Sequence, residues 1–136
     1  MSEQTFALIK PTAVFEGHAG PILTALRQAG FQIKRQSVRR LTQAQAQALY
    51  AEHSARPFYQ ELCDYITSGP VLLMELEKEG AVAALRELMG ATNPAEAASG
   101  TLRARFGVSI GDNAIHGSDS AQSAQRELGI FFGSRF

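Results

Sequence analysis

Ser68-Gly69-Pro70-Val71-Leu72-Leu73-Met74-Glu75-Leu76 is the stretch on which the fold turns. The Ser-Gly-Pro triplet stops whatever precedes it, because proline lacks an N–H and restricts the residue before it. Residues 71–76 then form an apolar run that ends among Glu75 and Glu77, and they read as the clearest strand of the chain. Upstream, residues 57–67 fit a helix with Phe58, Leu62, Tyr65 and Ile66 on one side. Downstream, Val82, Leu85, Leu88 and Met89 mark another helix, which Gly90 ends.

Further toward the N-terminus, Thr42 and Gln45 have the spacing of a capping box, with Ala46, Leu49, Tyr50 and His53 following at helical intervals. Residues 31–38 are β-like but polar on one side, as in a half-covered strand. Pro21 opens a helical pattern through Ile22, Leu23, Leu26 and Ala29, closed by Gly30. Residues 4–9 are a short apolar run stopped by Lys10-Pro11 and read as a buried strand.

Toward the C-terminus, residues 91–113 are rich in Gly, Asn, Pro, Ser and Thr, with room for only a short helix around Ala95 and Ala98. Long irregular segments of this kind are commonly functional. Residues 114–116 can make a short strand, and a last helix starts near Asp119 or Ser120 and runs through Ala121, Ala124, Leu128 and Phe131. The order β-α-β-α-α-β-α-β-α predicts an α+β sandwich, a small antiparallel sheet with helices on one face. No repeat or linker divides it, so residues 1–136 form one expected domain.

The 136 residues carry 13 basic and 13 acidic side chains, which argues against nucleic acid as the main partner. The cations are 10 Arg and 3 Lys, a bias toward the side chain that recognises phosphate with two parallel hydrogen bonds. The one cysteine, Cys63, can form no internal disulfide; on an apolar helix it reads as inert core in a reducing compartment. With neither a signal-peptide pattern nor an apolar run of ~20 residues, a soluble, cytoplasmic protein is expected, without a membrane partner.

Several phosphate-binding devices are absent from the sequence. No two glycines are separated by a single residue, and no Gly-Lys-Ser/Thr occurs. His18, His53, His116 and Cys63 are scattered without zinc-ligand spacing. The suggestive segment is Asn113-Ala-Ile-His-Gly-Ser-Asp-Ser120, which sets a histidine between a short strand and a helix start. Imidazole titrates near neutrality and can serve as nucleophile, acid or base. A lone histidine is equally a structural residue. Taken singly, Glu127, Arg86, Arg103, Arg105 and Lys10 read as surface charges, although Glu127 could fold back to orient the imidazole.

Together these residues resemble one family. Thr5-Phe-Ala-Leu-Ile-Lys10-Pro11, Tyr50-Ala-Glu-His53, Arg56-Pro-Phe58, Ser68-Gly-Pro70, Gly90-Ala-Thr-Asn-Pro94, Gly100-Thr-Leu-Arg103 and residues 113–120 occur in family order and look like nucleoside diphosphate kinase. The resemblance spans nearly the whole chain. It implies a ferredoxin-like four-stranded antiparallel sheet with helices packed on it. It also implies transfer of a γ-phosphate through a phosphohistidine, with His116 as nucleophile in a ping-pong cycle.

By the same resemblance, Arg86 and Thr92 meet the outer phosphates and Arg103 the transferring group. Lys10 and Asn113 hold ribose hydroxyls, Lys10 also reaching the phosphates, and Phe58 stacks on the base. A stack serves every base, which predicts low base selectivity. Tyr50, Ser118 and Glu127 support the histidine: Glu127 orients the ring, and Ser118 and Tyr50 complete the pocket wall. Mg2+ is the implied cofactor, held mainly by substrate phosphates and water.

The implied partners are nucleoside tri- and diphosphates (ATP as main donor; GDP, CDP, UDP and deoxynucleoside diphosphates as acceptors). A homo-oligomer built from dimers is also implied, a tetramer in preference to a hexamer. Two positions depart from the family. Thr12 stands where Asp or Asn is usual after Lys-Pro, and the chain stops at Phe132-Gly-Ser-Arg-Phe136 without the longer tail used in subunit contacts.

Two other readings compete with the enzyme. A non-catalytic nucleotide-binding module would have no need to retain His116. A nucleic-acid-binding role would rest on Arg35, Arg39 and Arg40 of the second strand, against the zero net charge.

Overall fold

The computed structural model describes residues 2–133, so the tail at 134–136 lies outside the described residues. β1 (Ser2–Ile9) pairs antiparallel with β3 (Val71–Glu79) along its length, from Ser2 opposite Glu79 to Ile9 opposite Leu72. β2 (Gln32–Arg39) adds to the outer side of β3, and β4 (Ile115–Gly117) to the outer side of β1. The order β2-β3-β1-β4, antiparallel throughout, is the ferredoxin-like arrangement.

The helices are α1 (Pro11–Phe15), α2 (Ala19–Gln28), α3 (Gln43–Leu49), α4 (Tyr59–Ile66), α5 (Ala81–Met89), α6 (Leu102–Phe106) and α7 (Ala121–Phe132). They cover both faces of the sheet, not the single face expected. Ala7, Ile9, Leu72, Met74 and Leu76 face one way and pack with α2 and α5. Phe6, Leu8, Val71 and Leu73 face the other way and pack with α3, α4 and α7. Side chains alternate along a strand, so a run apolar at successive positions needs a cover on each face. Phe6 stacks on Phe131 of α7, ring centroids 5.0 Å apart.

Local signals fix most of the boundaries. The Thr42–Gln45 capping box forms, and the Ser120 hydroxyl accepts from the Ser123 N–H at 3.0 Å to start α7. Two five-residue helices, α1 and α6, escape the sequence reading, whereas the helix expected around Ala95 is a 3₁₀ turn at Pro94–Glu96. Cys63 is fully buried in the core under α4. Among the described residues no helix is long and apolar enough to cross a membrane.

The arginines of the second strand are engaged internally. Arg35 donates to buried Glu75 at 2.8 Å and to the Phe132 carbonyl at 3.1 Å. Arg39 reaches the Phe131 carbonyl at 3.4 Å, and Arg40 the Thr67 carbonyl at 2.8 Å. They hold the C-terminal ends of α7 and α4, where carbonyls lack intrahelical partners. Of the three, only Arg35 is paired with a carboxylate, and each of them spends hydrogen bonds on the chain's own carbonyls.

Gly90 ends α5 with φ 84°, and a Cβ there would lie 2.7 Å from Thr101 Cβ, at the start of α6. Gly90→Ala combines a left-handed backbone with an overpacked contact. It should destabilise the chain by about 2 kcal/mol or more in urea unfolding; a loss below about 0.5 kcal/mol would mean that the two segments are not packed this tightly.

Candidate active site

The end of β1 delivers Lys10 to the same edge as β4. Leu8 sits opposite His116 in the sheet, and the Lys10 N–H donates to the Ala114 carbonyl at 2.8 Å. Ala114 is the one non-glycine residue with positive φ among those described, at 77°. It sits in a tight three-residue turn closed by the Ile115 N–H on the Asn113 carbonyl at 3.0 Å. Such a conformation costs about 1–3 kcal/mol and persists where the surroundings hold it. Here it turns the chain between Asn113 and the β4 residue His116.

All seven residues assigned to catalysis and nucleotide contact line one cleft of about 920 Å³. Lys10 and Asn113 are buried at its floor, and Arg86, Thr92 and Arg103 stand on the side given by α5, α6 and the segment joining them. Phe58 caps the start of α4 and is 41% exposed at the opposite wall. Its ring is 6.2 Å from that of His53, which is 6.4 Å from Tyr50, so three rings line this side.

His116 is oriented from behind. Its Nε2 lies 2.8 Å from Glu127 Oε1, which also accepts from the Ser118 hydroxyl at 2.8 Å. Arg126 reaches the other Glu127 oxygen at 3.4 Å and Glu52 at 3.0 Å. Glu127 is only 3% exposed, and an ionised carboxylate can only accept, so the ring proton belongs on Nε2. Tyr50 packs edge-on against the imidazole at 6.2 Å. Among the described residues Nδ1 makes no hydrogen bond, and it is left with a lone pair.

Glu127 thus does fold back onto the ring. Ser118 is fully buried one layer behind the cleft rather than in its wall, because its N–H is held by the Phe6 carbonyl of β1 at 3.1 Å.

The cations are held by neutral groups. Arg103 donates to the Gly90 carbonyl at 3.2 Å and the Ile115 carbonyl at 2.9 Å, and Arg86 to the Asp119 carbonyl at 3.5 Å. Among the described residues neither these arginines nor Lys10 forms a salt bridge. Burial, then the charge of Arg103, lowers the Lys10 ammonium to about 8, with Asp112 acting the other way. Burial, then Arg86, lowers Arg103 to about 10, so it stays cationic at neutral pH.

Among the described residues, four buried polar atoms in the cleft lack a partner: Tyr50 Oη, His53 Nδ1, Arg103 Nε and Asn113 Oδ1. Burial holds the Tyr50 hydroxyl protonated, with an unused donor. This is the lining of a site for a polar, anionic ligand.

Sequence reasoning missed four participants, Tyr65, Asp112, Arg126 and Glu52. Tyr65 appeared only as an apolar helix position, Glu52 only within the Tyr50–His53 motif, Arg126 only as a position of the last helix, and Asp112 in the irregular segment before Asn113. Only their partners in space give them away. Asn113 donates to the Thr92 carbonyl at 3.0 Å, which ties two of the expected residues together.

The Lys10 shift has a sign that can be measured. Between about pH 8 and 10.5 the unfolded chain binds more protons than the folded one, so stability rises with pH across that window. Below it the buried charge weighs fully against folding. Lys10→Met should therefore be more stable than the parent near pH 7.5, by up to about 3 kcal/mol in urea unfolding. The advantage should fall below about 1 kcal/mol near pH 10. A gain independent of pH would contradict the account.

The family model described as nucleoside diphosphate kinase matches residues 3–135. The nucleoside diphosphate kinase of Chlamydia pneumoniae is 52% identical over 130 residues, covering 96% of this chain and 90% of that protein. That of Bdellovibrio bacteriovorus is also 52% identical over 130 residues, covering 96% and 92%. Among solved structures, the nucleoside diphosphate kinase of Aquifex aeolicus superposes with a TM-score of 0.95 at 43% identity, covering 97% of this chain and 96% of that one. The Halobacterium salinarum enzyme, solved in complex with CDP, gives 0.95 at 39% identity, covering 98% and 90%. With its sheet order, its cleft and its sequence in agreement, the chain belongs to the nucleoside diphosphate kinase family, a family of phosphotransferases.

Proposed function

We propose that the chain moves the γ-phosphate of a nucleoside triphosphate to a nucleoside diphosphate by way of a phosphohistidine at His116 Nδ1. One observation carries this reading: Glu127 occupies Nε2, which leaves Nδ1 as the free nitrogen beside unpaired cations. In the first half-reaction the Nδ1 lone pair attacks the γ-phosphorus. The bond to the β,γ-bridging oxygen breaks, and the diphosphate leaves with that electron pair. Nε2 keeps its proton throughout, and Glu127 balances the positive charge the ring gains. A β-phosphate oxygen of a second diphosphate then attacks the same phosphorus, the N–P bond breaks, and the neutral ring returns.

Arg103 stabilises charge on the transferring group, while Arg86 and Thr92 hold the outer phosphates. Lys10 and Asn113 meet the ribose hydroxyls, with Lys10 extending to the phosphates. The unpartnered Asn113 Oδ1 supports that role, and the free Tyr50 hydroxyl supports a donor beside the reacting histidine. Phe58 stacks on the base from its exposed position at the cleft wall.

Among the described residues no group of three or more His, Cys, Asp or Glu side chains could hold a metal ion. Unpaired cations without a carboxylate cage fit a magnesium ion brought in on the phosphates and held by them and by water. Bound there, it neutralises phosphate charge. Exposed Phe15, Val38 and Val108 are apolar surface suited to contacts between copies, in keeping with a tetramer built from two dimers. A reducing, cytoplasmic setting suits the buried, unpaired Cys63.

Incubation with radiolabelled ATP and magnesium, without acceptor, should leave an acid-labile, base-stable label on the protein. The label should chase onto any added nucleoside diphosphate. His116→Ala should abolish it, and Glu127→Gln should slow its formation about tenfold or more, since it weakens the support of the ring. A label that survives His116→Ala would sink the mechanism, and tight nucleotide binding without transfer would favour the binding module. Turnover of GDP, CDP and dTDP should agree within about a hundredfold, the point at which dedicated hydrogen-bond readout begins.

A further inference from the structure

Thr12 follows Lys10-Pro11 directly and lies in the first turn of α1, where backbone N–H groups have no partner within the helix. Lys10 at the N-cap provides no side-chain cap. The Thr12 N–H instead donates to the Tyr65 hydroxyl oxygen at 3.1 Å. That oxygen is also 2.8 Å from Thr12 Oγ1 and 2.6 Å from Asp112 Oδ1. A phenol has one proton to give and a carboxylate only accepts. Tyr65 therefore donates to Asp112 and accepts from both groups of Thr12. Burial, with the hydrogen bond to Asp112, pushes the Tyr65 phenol up to about 12, so it stays a donor.

These three residues belong to segments far apart in the chain: α1, α4 and loop 108–113. The loop is otherwise closed largely on itself, with the N–H groups of Val108 and Ser109 both on the Asp112 carbonyl. Tyr65 and Asp112 both line the cleft, together with Phe58 and Leu62 from the α4 side and Ile110 from the loop. Asn113 is the next residue, and Lys10 lies two before Thr12.

We propose that Tyr65 is a positioning residue for the nucleotide, its hydroxyl fixing loop 108–113 and the start of α1 against α4. It sets where Asn113 and Lys10 stand relative to Phe58, a role that rests on the nucleotide reading above. The same knot accounts for Thr12. An aspartate there would set a second carboxylate against Asp112 across a hydroxyl with a single proton, whereas threonine supplies a donor. Thr12 and Asp112 are a matched pair.

The test measures ADP affinity by calorimetry and the labelling rate at saturating ATP, with thermal unfolding as control. Tyr65→Phe should weaken ADP binding and raise the diphosphate KM about tenfold, while the saturated rate stays within about twofold. Thr12→Asp should weaken ADP binding at least about tenfold, through like charges a few ångströms apart. Adding Asp112→Asn to it should restore affinity to within about threefold of the parent. A knot that only stabilised the fold would lower kcat and affinity together with melting temperature, and Asp112→Asn would give no rescue. Either result overturns the proposal, as does unchanged ADP affinity in Tyr65→Phe. If Tyr65→Phe does not fold, the Thr12→Asp pair decides alone. Weakened ADP binding in a parent that never takes up label would leave the positioning role standing and remove the kinase reading.

Discussion

Lys10 is buried and Arg103 half-buried, the guanidinium held by the Gly90 and Ile115 carbonyls, with no carboxylate in ion-pair contact with either among the described residues. Charges placed this way repel one another and lose hydration, and both effects appear in the lowered Lys10 and Arg103 values. Stability for this arrangement must come from elsewhere. Two apolar layers supply it, because β1 and β3 are buried on both faces and anchor the segments that carry the cations. The rigid sheet keeps the positive groups together when no ligand is present. On the proposed reading, a nucleotide's phosphates then meet a site already formed, and little reorganisation is needed at binding.

The carboxylates near the histidine are kept on a different task. Glu127 faces His116, Ser118 and Arg126, and Arg126 is shared with Glu52. Negative charge is therefore concentrated behind the ring, while positive charge stands across the cleft from it. The imidazole lies on the boundary, bound on one nitrogen and open on the other. Exchanging the two sets would place a carboxylate beside an incoming phosphate, where like charges repel.

The strands, the long helices and the helix starts at Thr42 and Ser120 were legible because each has a dense local signal: an apolar run, a capping box, a terminal glycine. α1 and α6 were not, since each has five residues and too few apolar positions to make a period. Lys10-Pro11 reads as a strand end, yet proline at the first helical position begins a helix equally well. The second layer of helices was legible in principle. Leu72, Leu73 and Met74 are apolar in succession, and successive strand residues point to opposite faces. The site itself became legible through motif resemblance, which named residues the cleft then brought together.

No local signal marks the Tyr65 knot, because its partners are 47 and 53 positions away and only folding brings them together. Its composition still follows from counting protons. Three oxygen atoms and one amide meet at a half-buried point, and the arrangement is satisfied only if one oxygen is a pure acceptor and the others can donate. Asp112 fills the first role; Thr12 and Tyr65 fill the rest. The identity of residue 12 is thus tied to that of residue 112, distant in sequence but joined through one hydroxyl. A net charge of zero conceals both features: cations gathered at the cleft without partners, and a carboxylate whose neighbour had to be neutral.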